Sequence, residues 1–247
     1  MSQKRGPKPK GKVKIEWSAG FAYAIGLIAT DGSLSKDGRH ISFTSKDGDQ
    51  IENYRKALGL DNAIGRKARR SEEAKRYFVV QFGDVLFFDF LKGIGITPAK
   101  SKTLGPIGVP DAWFFDFLRG AFDGDGYTNY YLDPRWRSSH MFYIGFCSAS
   151  IDHLLWIRER LRGFLSVTGH ISSSKSRSCH QLRFAKNDAI AITGRMYAGA
   201  DIFLARKKLK IDASLAMMGG LSILKKTDSG KSHRKHARVA KLEDALP

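Results

Sequence analysis

Two stretches of this chain repeat one unusual ending. Residues 24–32 and 118–126 are largely apolar runs that finish on a carboxylate followed by a glycine, at Asp31-Gly32 and Asp125-Gly126. Both runs predict a helix, and an acid at a helix C-terminus costs about 0.3–1 kcal/mol because that end already carries negative charge. Because this unfavourable acid is present at both helix ends, we infer that the two acids have a function. The simplest use is a divalent metal held by two carboxylates, one from each half of the chain.

The segments after the two motifs run in parallel, with Asp31 and Asp125 separated by 94 positions. Alternating strand patterns follow each motif, then an amphipathic helix, a second strand pair and a closing helix. This order predicts an α+β fold built from a duplicated unit. The predicted divisions are a basic flexible arm at 1–14, a first half at 15–105, a second half at 106–215 and a basic C-terminal tail at 216–247.

Small side chains recur at helical spacing within each motif. Gly26 and Thr30 are four residues apart, as are Gly120 and Gly124, so each helix has a small face. If the two faces pack together, the helix ends emerge side by side and the two acids become neighbours. An Asp-Gly pair after one helix is also an ordinary turn. The metal prediction therefore depends on finding both motifs in register.

The charge of the chain predicts a polyanionic partner. The formal net charge is +18, of which residues 1–14 contribute +6 and residues 225–247 contribute +4. Release of counterions favours nucleic acid as the partner of such a surface, although charge alone selects no activity. Cys147 and Cys179 lack disulfide or zinc-ligand spacing, which predicts an intracellular, reducing location. No secretory signal or membrane span is predicted, so we expect no membrane partner.

The two nine-residue stretches resemble the motifs of LAGLIDADG homing endonucleases, in the single-chain form with two copies. The resemblance covers residues 17–213, and the metal-binding acid of the motif falls on Asp31 and Asp125. Ala29, Thr30 and Gly124 depart from the family name at interface or variable positions. The resemblance implies two pseudo-symmetric αββαββα halves that form a DNA-binding saddle. It also implies a monomeric enzyme that hydrolyses both strands of a long, asymmetric DNA target.

The same resemblance implies the site. Magnesium, as two or more divalent ions, would be bound by Asp31 and Asp125, and calcium would bind without supporting cleavage. The family often has Gln or Asn at the strand end, where this chain has Ser45 and Ser148. A lysine near the site corresponds to Lys100 in the first half and Lys207 in the second. Their neighbours Lys102 and Lys208 are the alternatives.

Strand residues that point away from the helices would contact DNA bases. Arg and Gln suit guanine and adenine edges best, and each candidate could instead contact a phosphate. The candidates are His40, Ser42, Thr44, Arg69, Gln81, Asn129, Tyr131, Arg137, Tyr143, Lys175, Arg177, Gln181 and Arg183.

Two other functions remain open from the residues alone. A non-cleaving protein on the same scaffold could be an RNA splicing maturase, with intron RNA as its partner, or a DNA-binding regulator. A basic RNA-binding accessory protein would fit the charge but leave the duplicated motif unexplained. Acids at both motif ends favour cleavage, because a pure binder would be free to lose them.

Overall fold

The computed structural model describes residues 11–68, 76–136, 139–173 and 179–228. The first half contains α1 (Ala19–Asp31), β1 (Gly32–Leu34), β2 (His40–Ser45), α2 (Gly48–Leu58), β3 (Gly65–Lys67), β4 (Tyr77–Gly83) and α3 (Val85–Gly93). The second half contains α4 (Phe114–Asp125), β5 (Gly126–Leu132), β6 (His140–Ser148), α5 (Ile151–Leu165), β7 (His170–Ser173), β8 (His180–Ala185) and α6 (Lys186–Tyr197). Helix α7 (Ala205–Asp228) follows. The element order confirms the predicted α+β duplication.

The two halves have equivalent sheets. Each sheet is antiparallel, with the order β1-β2-β4-β3 in the first half and β5-β6-β8-β7 in the second. Each motif helix runs directly into the first strand of its sheet, because its acid is the last helical residue and the next glycine begins the strand.

Strand alternation determines which face of each sheet meets the helices. In the first sheet Ile41, Phe43, Val80 and Phe82 are buried, and Phe78 is half-buried against the same core. In the second sheet the buried side chains are Phe142, Ile144, Phe146, Leu182 and Phe184. These are the residues that the sequence pattern assigns to the helix side. The alternate residues therefore lie on an open face of each sheet.

Helices α1 and α4 pack against each other through the small residues of the two motifs. A Cβ added to Gly26 would lie 2.1 Å from the carbonyl oxygen of Phe117, and one added to Gly120 would lie 2.0 Å from that of Tyr23. Real Cβ atoms do not approach so closely, so the backbones are in direct contact along this seam. Helix α1 is buried over most of its length as a result.

The motif glycines are required for space rather than for an unusual backbone conformation. Gly32 and Gly126 are both extended, with φ of −75° and −80°. A Cβ on Gly32 would lie 2.7 Å from the Ile28 carbonyl oxygen, and one on Gly126 would lie 2.5 Å from that of Phe122. The chain can turn from helix to strand here only without a side chain.

Parts of both predicted terminal segments are folded: the end of the N-terminal arm packs on the core, and the start of the C-terminal tail is helical. Val13, inside the arm predicted at 1–14, is buried, and its N–H and that of Lys12 donate to the Asp84 carboxylate that also caps α3. The predicted boundary at 215/216 falls inside α7, which continues to Asp228. Strong helix formers on both sides of Gly219 and Gly220 account for this continuation. In the described part of the chain no helix could span a membrane.

Candidate active site

The seam between α1 and α4 brings the two motif acids to one place. A Cβ on Gly124, the residue before Asp125, would lie 2.0 Å from Thr30 Oγ1 and 2.9 Å from Asp31 Oδ2. The Thr30 hydroxyl donates back to the Leu27 carbonyl at 3.0 Å, which keeps this side chain within its own helix. Gly124 therefore allows the Asp31 carboxylate to lie against the end of α4.

The two carboxylates influence each other. Burial, together with the nearby charge of Asp125, raises the pKa of Asp31 to about 6. Burial also raises the pKa of Asp125, because the folded protein removes part of the water around its carboxylate. Two acids held together at the negative ends of two helices carry a repulsion that a divalent cation would relieve.

One lysine from each half lies beside this pair. Lys100 is buried and donates through Nζ to the carbonyl of Gly32, while Lys207 donates to that of Gly126 at 2.7 Å. Lys207 also donates to the Phe122 and Gly124 carbonyls, at 2.6 Å and 3.1 Å. The two lysines therefore occupy equivalent positions at the ends of the motif helices.

Each lysine is coupled electrostatically to the acids. Burial lowers the pKa of both Lys100 and Lys207 to about 8, although the charges of Asp31 and Asp125 oppose the shift. Lys102 is exposed, and Lys208 pairs with Asp212. Of the alternatives taken from the sequence, the structure brings Lys100 and Lys207 to the acids.

Ser45 is linked to the site through Gln50, a residue not predicted from the sequence. Its hydroxyl donates to Gln50 Oε1 at 2.6 Å, and Gln50 Nε2 donates to the Asp123 carbonyl at 2.9 Å. Gln50 is buried on the apolar stripe of α2 that also includes Tyr54 and Leu58. A polar residue on an apolar stripe is the signal that could have identified it.

The equivalent position in the second half holds a histidine. Ser148 accepts from the Ser150 N–H at 3.1 Å, as Ser45 accepts from the Asp47 N–H at 3.0 Å. In register with these serines, His153 takes the place of Gln50 on α5. Its Nδ1–H donates to the Gly105 carbonyl at 3.1 Å, and burial lowers its pKa to about 4.

The two acids differ in the space beside them. Asp31 lies on an open pocket of about 440 Å³ whose wall includes Ser42, Ser45, Gln50 and Arg206. Asp125 lies beside a cavity of only about 20 Å³, lined by Ser148 and His153 among others. Both acids are accessible from solvent, since Asp31 is half-buried and Asp125 is exposed.

A buried polar network holds the segment that carries Lys207. Asp123 Oδ2 accepts from the Tyr23 hydroxyl at 2.8 Å and from the Leu204 N–H at 2.7 Å. Arg119, also buried, donates to the Ile202 carbonyl at 2.9 Å and to the Met196 carbonyl at 2.6 Å. These bonds attach the beginning of α7 to α4 and so position Lys207. No role for Asp123 or Arg119 was predicted from the sequence.

The predicted base-contacting residues lie on the open faces of the two sheets. Ser42 is paired with Gln81 across the first sheet, and Asn129 with Tyr143 across the second. The remaining described candidates share these faces by strand alternation: His40, Thr44, Tyr131, Gln181 and Arg183. Arg69, Arg137, Lys175 and Arg177 lie outside the described residues.

Several of these candidates already have partners within the protein. His40 pairs with Asp37, and Gln181 accepts from the Tyr127 hydroxyl at 3.3 Å. The Arg183 guanidinium lies 5.0 Å from the centre of the Tyr143 ring. Several side chains on the open faces are therefore held by contacts within the protein.

The residues at the seam suit a hard divalent cation. Two carboxylates converge, the pKa of each is raised, and oxygen atoms are the ligands such ions prefer. Within the described residues no group of three or more His, Cys, Asp or Glu side chains could hold a metal. A metal bound by these two acids would therefore need water or substrate oxygens as further ligands. Cys147 and Cys179 form no disulfide with each other.

Comparison with solved structures relates the fold to known proteins. No protein-family model and no curated protein sequence matches the chain. The fold is similar to the I-LtrWI LAGLIDADG homing endonuclease bound to target DNA, with a TM-score of 0.55 and 12% identity over 82% of this chain and 91% of that chain. Meganuclease I-SmaMI bound to uncleaveable DNA gives a TM-score of 0.54 and 13% identity over 87% and 99% of the two chains.

A third structure is similar to nearly the same degree. Full-length DUF199/WhiA from Thermatoga maritima gives a TM-score of 0.52 and 15% identity over 90% of this chain and 74% of that chain. At these identities the likenesses establish the fold and leave the activity to be argued from the site.

Proposed function

We propose that this chain, which has the LAGLIDADG fold in its single-chain, double-motif form, is a metal-dependent endonuclease that cleaves both strands of a specific duplex DNA. The observation that carries the proposal is the convergence of Asp31 and Asp125 at the ends of two tightly packed helices. Two acids whose charges repel, each beside a lysine, favour cleavage over binding alone, because a protein that only binds would be free to lose them.

Asp31 and Asp125 would hold the metal. Magnesium bound there would supply charge stabilisation at phosphorus and assist the attacking and leaving oxygens of phosphodiester hydrolysis. The chain's own residues prepare the site. Gly124 lets Asp31 approach α4, and Thr30 keeps its hydroxyl bonded within α1, so neither acid is displaced from the seam.

Lys100 and Lys207 act at the two helix ends. Each binds the carbonyl of the glycine that follows a motif acid, which offsets the negative end of the helix. Both also place positive charge where a phosphate would lie against the acids. On the pocket side of Asp31, Ser45 and Gln50 form a polar wall that could orient a water molecule.

The two sheets would supply target recognition. Their open faces carry different residues, with His40, Ser42 and Gln81 on the first and Tyr131, Tyr143 and Arg183 on the second. Solved structures of the same fold are bound to DNA. Since the faces differ, we expect an asymmetric target, bound by one copy of the chain.

A non-cleaving DNA-binding protein is the second candidate. The fold is almost as similar to WhiA as to the endonucleases, with TM-scores of 0.52 and 0.55, so the fold alone does not decide cleavage. A maturase that binds intron RNA remains a third possibility, on the charge of the chain.

A cleavage assay separates these functions. The full chain is incubated with a plasmid library of candidate insertion sites, first with magnesium and then with calcium, and linear product is measured. We expect cleavage with magnesium only, and a loss of at least about 10²-fold in Asp31→Asn and in Asp125→Asn. Asp89→Asn, at an exposed acid of α3, is the matched control that keeps activity.

The other outcomes each identify an alternative. Specific binding of duplex DNA without cleavage under any metal would establish the regulator. Tight binding of structured intron RNA alone would establish the maturase. Cleavage that persists in both Asn variants would place the nuclease chemistry outside the seam.

A further inference from the structure

The hairpin that joins β5 and β6 is longer than its counterpart in the first half. Strand β5 has seven residues and β1 has three. At about 3.3 Å per residue, the second hairpin projects roughly 13 Å further from the site than the first. The two halves of the duplicated fold therefore differ in the length of this hairpin.

The turn at the end of this hairpin is held by its own hydrogen bonds. The Asp133 N–H donates to the Ser139 carbonyl at 2.9 Å, and the Ser139 N–H donates to the Trp136 carbonyl at 2.7 Å. The Asp133 carboxylate, which is buried, accepts from the Arg135 N–H at 2.9 Å and from the Arg135 side chain at 3.1 Å. These bonds tie the described residues of the turn to one another.

The turn presents a tryptophan to solvent. Trp136 is 70% exposed, whereas Trp17, Trp113 and Trp156 all pack against the core. A large aromatic side chain exposed at the end of a hairpin leaves apolar area in water that a binding partner would cover.

The surface next to Trp136 identifies the partner chemistry. Tyr131 and Tyr143 stack at 6.1 Å between ring centres on the open face of the second sheet, and Arg183 lies over Tyr143. Asp133 follows directly after Leu132, the last residue of β5, so the turn continues from this sheet. Arg135, exposed at the turn, adds positive charge. Aromatic rings interleaved with arginine suit stacked bases and phosphates.

We propose that Trp136 stacks on bases of duplex DNA at the outer end of the target and opens a base step there. The inference rests on the proposed function, since it extends the DNA-contacting face of the second sheet to the end of the β5–β6 hairpin. Duplex DNA is favoured because that face continues directly into the turn. Apolar side chains that enter a duplex unstack neighbouring base pairs and bend it.

The test uses DNA selected by the protein itself. A pool of 40-base-pair duplexes with random centres is enriched on the full chain in calcium, and the strongest duplex is used as the probe. Affinity, tryptophan fluorescence and permanganate reactivity of unstacked thymines are measured for wild type, Trp136→Phe and Trp136→Ala. Leu86→Ala, at an exposed apolar residue of α3, is the matched control.

We expect three results if Trp136 stacks on the bases of the duplex. DNA quenches wild-type fluorescence, and most of the quenching disappears in Trp136→Phe. Trp136→Ala weakens binding about tenfold, the effect of one lost base stack, while Leu86→Ala binds as wild type. Reactive thymines cluster at one end of the duplex with wild type and become unreactive with Trp136→Ala.

Other results overturn it, and they separate it from the proposed function. Equal affinity and equal permanganate patterns for wild type and Trp136→Ala would refute the role of Trp136 while leaving DNA binding intact. Failure of the wild-type chain to enrich any duplex would refute both. Quenching by single-stranded RNA but not by the duplex would assign Trp136 to RNA instead.

Discussion

The position that a Gly120 Cβ would occupy lies 2.0 Å from the carbonyl oxygen of Tyr23. Because the obstacle is backbone, no side-chain rotation could relieve the contact. The α1–α4 seam therefore depends on glycine here, and the spacing of the two acids depends on the seam.

Gly120→Ala is predicted to destabilise the protein by about 3 kcal/mol through overpacking at a backbone contact. For a chain of this size that corresponds to a fall of roughly 6–12 °C in Tm. Gly194→Ala is the control, because Gly194 is an exposed residue of α6 with no atom within 4 Å of its Cβ position. That variant should gain about 0.5–1 kcal/mol. Equal Tm values for the two variants would contradict close packing at the seam.

Asp31→Asn is predicted to stabilise the metal-free protein at neutral pH. The pKa of Asp31 is raised from 3.8 to about 6 in the folded state, so its stabilising contribution is fully present below pH 3.8 and is lost as the pH rises through 6. With allowance for solvent screening, the Asn variant should gain about 1–2 kcal/mol at pH 7. The measurement is urea unfolding in EDTA, with Asp89→Asn as the control.

Magnesium should reverse that difference. A cation that binds only the folded protein stabilises wild type by mass action, whereas Asp31→Asn has lost a ligand and should respond weakly. An equal Tm increase in both proteins on addition of magnesium would show that the ion binds elsewhere.

Lys207→Met is predicted to move the acidic limb of the cleavage–pH profile to higher pH. The Lys207 charge lowers the pKa of both Asp31 and Asp125, so its removal makes both acids harder to ionise. Three carbonyls at the end of α4 also lose their donor, which should cost about 1–2 kcal/mol of stability. Lys92→Met, at an exposed lysine of α3, should leave both the profile and the stability unchanged.

His153→Gln is predicted to make the protein more resistant to acid. Burial lowers the pKa of His153 from 6.5 to about 4, so the folded state keeps the ring neutral while the unfolded chain protonates it. Wild type therefore loses stability as pH falls from 6.5 towards 4, and this loss should reach about 2 kcal/mol at pH 5. Glutamine has no such titration, and it already occupies the equivalent position 50 of α2.

The measurement compares urea unfolding at pH 7.5 and pH 5 for wild type and His153→Gln. His170→Gln, at an exposed histidine of β7, should retain the wild-type dependence on pH. If His153→Gln loses as much stability as wild type between the two pH values, folding does not lower the pKa of His153.

Much of the fold and the centre of the site could be predicted from local patterns. Residue spacing predicts the two motif helices and the duplicated order of elements. It also predicts the buried face of the strands, which carries Phe43, Val80, Ile144 and Phe184. Asp31 and Asp125 were identifiable because each is an unfavourable acid at a helix end. The position of Gly26 and Gly120 in the seam followed from the small stripe.

Other parts of the site were not predictable in this way. Lys100 and Lys102 are equally basic in the sequence, and only the turn of the chain after α3 buries one and exposes the other. Gln50, Asp123 and Arg119 bond to backbone groups between 73 and 83 positions away, and no local pattern encodes such a partner.

By itself, then, the sequence determined the duplicated α+β architecture, the faces of its strands and the pair of acids, since helix and strand periodicity are local properties of the chain. Only the tertiary structure decided which lysines meet those acids, which polar residues support them, and that Asp31 lies on an open pocket of about 440 Å³. Those outcomes depend on contacts between distant segments, which form when the two halves pack across α1 and α4.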